Sequence, residues 1–259
     1  LRLEDSLFRR FRLFQEVFVM LENWGKLWGT VLDNVLYVLV FLMIFAAIFA
    51  VAMALEKLWL KPERQSPARR VAYIGIFAAI GAILVYFEFP LPFAPGFYEL
   101  DFSFVPELIC SFSLGPMAGV VCALVKELLK LLLRGTTTAF VGDLSNFVMG
   151  CAFILPASVI YYAKKSRKSA LIGMGVGTVV LTAFGRVFNA FYLIPAFAAL
   201  FKWPIDKIVA MGTEINPAIT SVNTLVLFAV VPFNLVKGVL VSAITFLLYK
   251  HIERLLRMK

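Results

Sequence analysis

Charge is scarce in this chain: Asp, Glu, Lys and Arg make up only 16% of its 259 residues, against about 25% in soluble domains. Hydrophobic residues make up 61%, against roughly 45–50% in the soluble class, so the chain reads as an integral membrane protein. At about 20 apolar residues per crossing helix, the composition fills on the order of seven spans. That leaves no material for a large soluble enzyme domain. Histidine is nearly missing, with His251 the sole example, which excludes any site needing two imidazoles. The three cysteines, Cys110, Cys122 and Cys151, lie in apolar runs without CxxC spacing, so neither a disulfide framework nor a zinc site is indicated. No GxxxxGK[ST], HExxH or GxSxG segment occurs, which removes the P-loop and the common hydrolase sets. The chain is therefore not expected to be an enzyme, and neither a metal nor a resident cofactor is expected. Lys and Arg outnumber Asp and Glu by 25 to 16, but in a membrane chain such an excess marks loops kept on the cytoplasmic side. Nucleic acid is not an expected partner; the lipid bilayer is.

What is present is a series of apolar runs. Residues 33–55 form one of them, and the composition then changes at Glu56 to a basic, proline-containing linker. Beyond the linker, helices are expected near 69–88, 104–118, 118–134, 143–163, 169–199 and 222–249. Two of these are joined tightly at Leu114-Gly115-Pro116, where proline cannot continue a helix ladder. The expected architecture is thus all-α: a six-helix membrane core over 69–259, preceded by an accessory segment, 1–68, holding one extra span. Phe8, Phe11, Phe14, Phe18 and Leu21 recur near helical spacing beside Arg9, Arg10 and Arg12, the pattern of an interfacial amphipathic helix. The alternative for that stretch is a leader with no defined place in the fold. Basic residues gather in the linker, at 164–168 and in the tail, while the loop from Glu88 to Phe104 holds only acidic charges. The multi-pass core is therefore expected to have both ends, the C-terminus included, in the cytoplasm.

Polar groups at membrane depth are costly unless they serve a purpose. Asn234 and Lys237 in VPFNLVKG are spaced i,i+3 and share one helix face, and Asn189 in FNAFYLIP lies on the preceding helix. Together they offer amide donors and acceptors and a cation to a ligand. The plainer reading of the asparagines is interhelical bonding, and of Lys237 snorkelling to an interface. Arg186 fits ligand contact or an ion pair with Asp143 equally well. Asp143 and Ser145 read as caps of the following helix, and Asn146 either lines the pocket or joins helices. Lys126, Glu127, Lys130 and Arg134 recur at helical spacing and read as a solvated, paired face. Gly173, Gly175 and Gly177 read as close helix packing rather than a nucleotide loop.

Taken in order, PFAPGFYELDFSFVPELICSFSLGPMAGVVCALVKELL, GDLSNFVMGCAFILPASVIYY, FNAFYLIP and VPFNLVKG resemble the riboflavin-binding S component of energy-coupling factor (ECF) transporters. The likeness covers about residues 69–250. It departs from the family at Asp143, where Glu is usual, and at the segment 1–68. The resemblance implies a six-helix S-component core that binds riboflavin as transported ligand, delivering it by docking on a transmembrane coupling protein and two cytosolic ATPases that use the ATP. It implies ligand contacts at Glu99, Leu100, Asp101, Asn189, Asn234 and Lys237, and partner docking through Ala78 and Ala82 on the first core helix. On chemical grounds the asparagines and Lys237 suit the uracil-like edge of the ring system, and Glu99 and Asp101 the ribityl hydroxyls. Phe97, Tyr98, Phe102 and Tyr192 offer ring contacts. An S component for another vitamin and a secondary transporter acting alone are the competing readings.

Overall fold

The computed structural model describes residues 25–26, 28–60 and 66–257; the amphipathic stretch expected around 8–21 and linker residues 61–65 lie outside the described residues. Helix α1 (Val35–Leu55) is apolar on every side and continues through a π-helical turn, Glu56–Leu60. The helical run therefore reaches past the composition change at Glu56. Helix α2 (Pro67–Leu84) starts where the Ser66 hydroxyl accepts the Arg69 N–H and Pro67 fills the first turn, a position that needs no donor. A two-stranded antiparallel hairpin follows, β1 (Phe89–Pro90) and β2 (Glu99–Leu100).

Helix α3 (Phe104–Leu114) is only 11 residues long, about 17 Å at 1.5 Å per residue. It is too short to cross about 30 Å of hydrocarbon, so the hairpin loop must descend into the bundle to meet it. Gly115, at φ 109°, makes the turn into α4 (Pro116–Arg134), a conformation open to glycine. Helices α5 (Val141–Lys164) and α6 (Arg167–Phe188) form the most extensive pair. A β-carbon on Gly173 would lie 2.5 Å from the Ala157 carbonyl oxygen and one on Gly177 2.7 Å from that of Phe153, so both glycines permit close approach. Gly175 faces open space and takes no part in that contact.

Helix α6 runs through a π turn, Asn189–Leu193, into α7 (Ile194–Phe201). A short helix α8 (Ile205–Thr213) leads to α9 (Val222–Leu225), a second π turn at Val226–Val230 and α10 (Val231–Arg257). Each π turn ends two residues before a proline, Pro195 or Pro232. A proline has no N–H and crowds the carbonyl four residues back, and widening the preceding turn relieves both problems.

Five of these helical stretches, α1, α2, α5, α6–α7 and α9–α10, are long and apolar enough to cross a membrane. With α3 and the charge-bearing α4 they give the expected all-α membrane architecture. The hairpin and α8 were not expected.

Helix α1 packs against α4 and α5. Phe41 and Phe45 meet Phe147 at centroid distances of 5.6 and 5.9 Å. Below them, one Glu56 carboxylate oxygen accepts the Met117 N–H at 2.7 Å and the other pairs with Arg70 at 3.5 Å.

One expectation is corrected here. Ala78 and Ala82 are 0% and 1% exposed, turned inward toward α3 and α4, and so do not stand at a docking surface. The exposed small residues of α2 are Ala68, Ala72, Gly75 and Ala79.

Candidate functional site

The hairpin loop, the α4–α5 connection and the segment from α7 to α8 meet at one end of the bundle over a cavity of about 410 Å³, within the roughly 300–1,000 Å³ of small-molecule pockets. Its wall has an aromatic side, with Phe97, Phe197, Phe201, Trp203 and Phe233, and a polar side where Glu88, Glu99, Lys130, Arg134, Asp143 and Asn146 emerge. The short α3 explains the depth of the site. It places Asp101, which is 4% exposed, beneath the mouth and opposite α10.

Of the six expected ligand contacts, five line this cavity: Glu99, Asp101, Asn189, Asn234 and Lys237. Leu100 does not; it pairs with Phe89 in the hairpin and is fully buried in an apolar cluster. Lys237 donates to Asp101 Oδ2 at 2.9 Å and stands 4.1 Å from the Phe104 ring centroid. Asp101 Oδ1 accepts the Ser103 N–H at 2.7 Å. Burial alone would raise this carboxyl, but Lys237 and Lys126, with the two hydrogen bonds, hold it well below the usual carboxylate range. This pairing sets Asp101 beside Lys237 in the cavity. Glu99 behaves differently: partial burial, with Glu88 beside it, raises its carboxyl.

Both ends of the Asn189 amide are engaged, its oxygen accepting from the Tyr98 hydroxyl and its nitrogen donating to the Gly185 carbonyl, each at 2.8 Å. Asn234 is only 4% exposed and lines the cavity with no hydrogen bond among the described residues. A β-carbon on Gly185 would lie 2.5 Å from Asn234 Nδ2, so this glycine makes room for the amide. The π turns place both asparagines, Asn189 inside one and Asn234 just beyond the other. Such turns recur at functional sites.

Several polar residues depart from their expected roles. Lys126 and Glu127 are fully buried rather than solvated. Lys126 lies 2.8 Å from Glu107 and 2.7 Å from Glu127, and Asn146 donates to Glu127 at 2.8 Å. Their partners come from α3 and α5, so helical spacing along α4 alone could not reveal the burial. Lys130 pairs with Asp143 at 2.8 Å, and Arg134 with Glu88. Asp143 therefore does not await Arg186, which is exposed and outside the cavity wall. Nor does Asp143 cap α5: the Thr138 hydroxyl accepts the Gly142 N–H, and Thr136 accepts from Phe140. Asn146 both lines the cavity and joins helices. Phe97 and Tyr98 stand in the wall, whereas Phe102 and Tyr192 do not.

Residues 69–249 match the family described as "ECF transporter, substrate-specific component". The chain is 33% identical over 189 residues to the riboflavin transporter RibU of Staphylococcus aureus (strain TCH60), covering 73% of this chain and 93% of that protein. It is 26% identical to the riboflavin transporter FmnP of Bacillus subtilis (strain 168), over 70% of this chain and 90% of the relative. Among solved structures, one described as the S component of a bacterial ECF transporter superposes with a TM-score of 0.57 at 34% identity, covering 73% of this chain and 98% of that one.

Proposed function

From the premise that the chain belongs to the ECF transporter substrate-specific component family, we propose that it captures riboflavin at the outer face of the membrane and delivers it inward as the binding subunit of an ATP-driven transporter. One observation carries this reading. A cavity of about 410 Å³ joins aromatic walls to a buried amide, Asn234, that has no hydrogen bond among the described residues. A flat ring system with an imide edge suits this arrangement, because an amide donates and accepts at once.

The remaining groups act around that amide. Lys237 offers further donors to a ring carbonyl while keeping Asp101 as counter-ion, and Glu99 accepts from ribityl hydroxyls at the polar side. Tyr98 holds Asn189 in orientation. The basic residues flanking α2, α5 and α6 at the end opposite the cavity support a cytoplasmic position for that end and for the C-terminus. Riboflavin is the transported ligand, and the site needs no cofactor. The coupling protein docks on the exposed face of α2, where Gly75 and Ala79 permit close helix approach; two cytosolic ATPases supply the energy.

Purified protein should quench flavin fluorescence saturably in the nanomolar range, on the order of −12 kcal/mol. Reconstituted alone, it should bind riboflavin without accumulating it. Saturable binding of thiamine, folate or biotin with no response to riboflavin would reject the ligand. Uptake against a gradient without ATPases would reassign the chain as a secondary transporter.

A further inference from the structure

Each cation in the cavity wall is already matched to a carboxylate, and one carboxylate is left over. Lys237 is held by Asp101, Lys130 by Asp143 and Arg134 by Glu88. Glu99 is the fourth acid among the lining residues. Behind the wall the imbalance deepens, since Glu107 and Glu127 share Lys126 and all three are fully buried. The natural seat for an anion is the N-terminus of α5, where free N–H groups and the helix dipole point outward. Here it is already served: Asp143 sits in the first turn, and Thr138 takes the Gly142 N–H. A neutral polyol can share these paired groups through hydrogen bonds. A phosphate monoester, at about −1.5 to −2 charges, must enter a net-negative wall with no uncommitted cation to receive it.

Resting on the riboflavin reading, we propose that this site discriminates against the 5′-phosphate ester of the vitamin, and that Glu88 is a specificity-determining residue because it keeps Arg134 occupied. Arg134 lies at the mouth, its side chain 44% exposed, where a released guanidinium can turn to a phosphate and bind it in a bidentate fashion. Glu88 ends the segment leading from α2 into the hairpin loop, so one ion pair both ties that loop to α4 and withholds the cation. One unit charge near the mouth of a partly solvated pocket is worth about a factor of ten in affinity for such an anion.

The test is a fluorescence titration of the full chain with riboflavin and with riboflavin 5′-phosphate, read as the ratio of the two dissociation constants. At low salt the wild type should favour the uncharged vitamin by about tenfold or more, and about 0.5 M salt should narrow that ratio by screening. Glu88→Gln should narrow it by about tenfold, Glu88→Asp should stay near wild type, and Arg134→Gln should widen it. Equal affinities in the wild type, or a ratio that Glu88→Gln and Arg134→Gln leave unmoved, would overturn the charge argument while leaving the vitamin site standing. A folded, monodisperse protein that binds neither flavin would remove the riboflavin reading and this inference with it.

Discussion

Asn234 and Lys237 lie one helical turn apart on α10, yet their surroundings make them different kinds of residue. Asn234 has no protein partner to lose among the described residues, so Asn234→Ala should weaken riboflavin binding by about 1–3 kcal/mol and leave the melting temperature nearly unchanged. Lys237 neutralises Asp101 inside the protein, and removing one member of a buried pair strands the other. Lys237→Ala should therefore lower affinity and thermal stability together; loss of affinity alone would show that the ion pair contributes nothing to the fold. Asp101 also fixes a pH dependence. Its carboxyl is held low in the folded state, so the unfolded chain binds the proton more tightly. The stability from this pair is fully present above the unfolded carboxylate value, about 3.9, and is lost as pH falls below it toward the depressed folded value. The difference in melting temperature between wild type and Asp101→Asn should thus be constant from about pH 5 to 8, a range above both values. Below about pH 4 the difference should shrink as the pH falls; a difference that stays unchanged there would mean that Asp101 titrates at its ordinary value and that the latch to Lys237 is loose.

Helices were legible in the sequence wherever hydropathy alone decides them. The six apolar runs after the linker, the break at Leu114-Gly115-Pro116 and the polar trio, Asn189 in the π turn after α6 and Asn234 and Lys237 on α10, all appear where the residues put them. Facing was not legible, because lipid is as apolar as the interior of the bundle, so the outside of a membrane helix carries no polar stripe. That is why Ala78 and Ala82 could be taken for an outward face when they are buried and Gly75 and Ala79 are exposed: one residue is about 100° of rotation. The π turns did leave a signal, Pro195 and Pro232 close to each asparagine, which marks a ladder that cannot run on unchanged. The ion pairs among α3, α4 and α5 left none, since Glu107 and Lys126 belong to different helices. Glu56 is another contact across the chain, and it has a specific task. Gly115 brings no side chain to the start of α4, and Pro116 brings no N–H, so the first donor to satisfy is that of Met117, which Glu56 accepts. Glu56→Ala should cost about 1–3 kcal/mol of stability, the usual loss for a buried charged hydrogen bond, with riboflavin affinity retained because Glu56 is remote from the cavity wall. Unchanged thermal unfolding in that variant would show that water caps Met117 equally well.

At the scale of the whole molecule, the part that binds and the part that precedes it are held together by unequal forces. Helix α1 lies outside the matched residues 69–249, contributes nothing to the cavity wall and leaves most of its own surface outside the bundle. In water, stripping it from α4 and α5 would expose Phe147 and its neighbours at considerable cost. In a bilayer, acyl chains take the place of Phe41 and Phe45, and little transfer energy is lost. What lipid cannot replace is a carboxylate on a helix N-terminus and its pairing with Arg70. A chain beginning near Gln65 should therefore bind riboflavin within about tenfold, or roughly 1.4 kcal/mol, of the full protein, and its loss of stability in lipid should come chiefly from Glu56. That equivalence is the measurable step: in nanodiscs, the truncation and the Glu56→Ala variant of the full chain should unfold at similar temperatures, both below wild type. In detergent the truncation should fall further, because the exposed aromatic face is then less well solvated. A truncation much less stable than Glu56→Ala in lipid would mean that packing by α1, rather than its single carboxylate, completes the core. A folded truncation unable to bind would move the boundary of the vitamin-binding unit into the accessory segment.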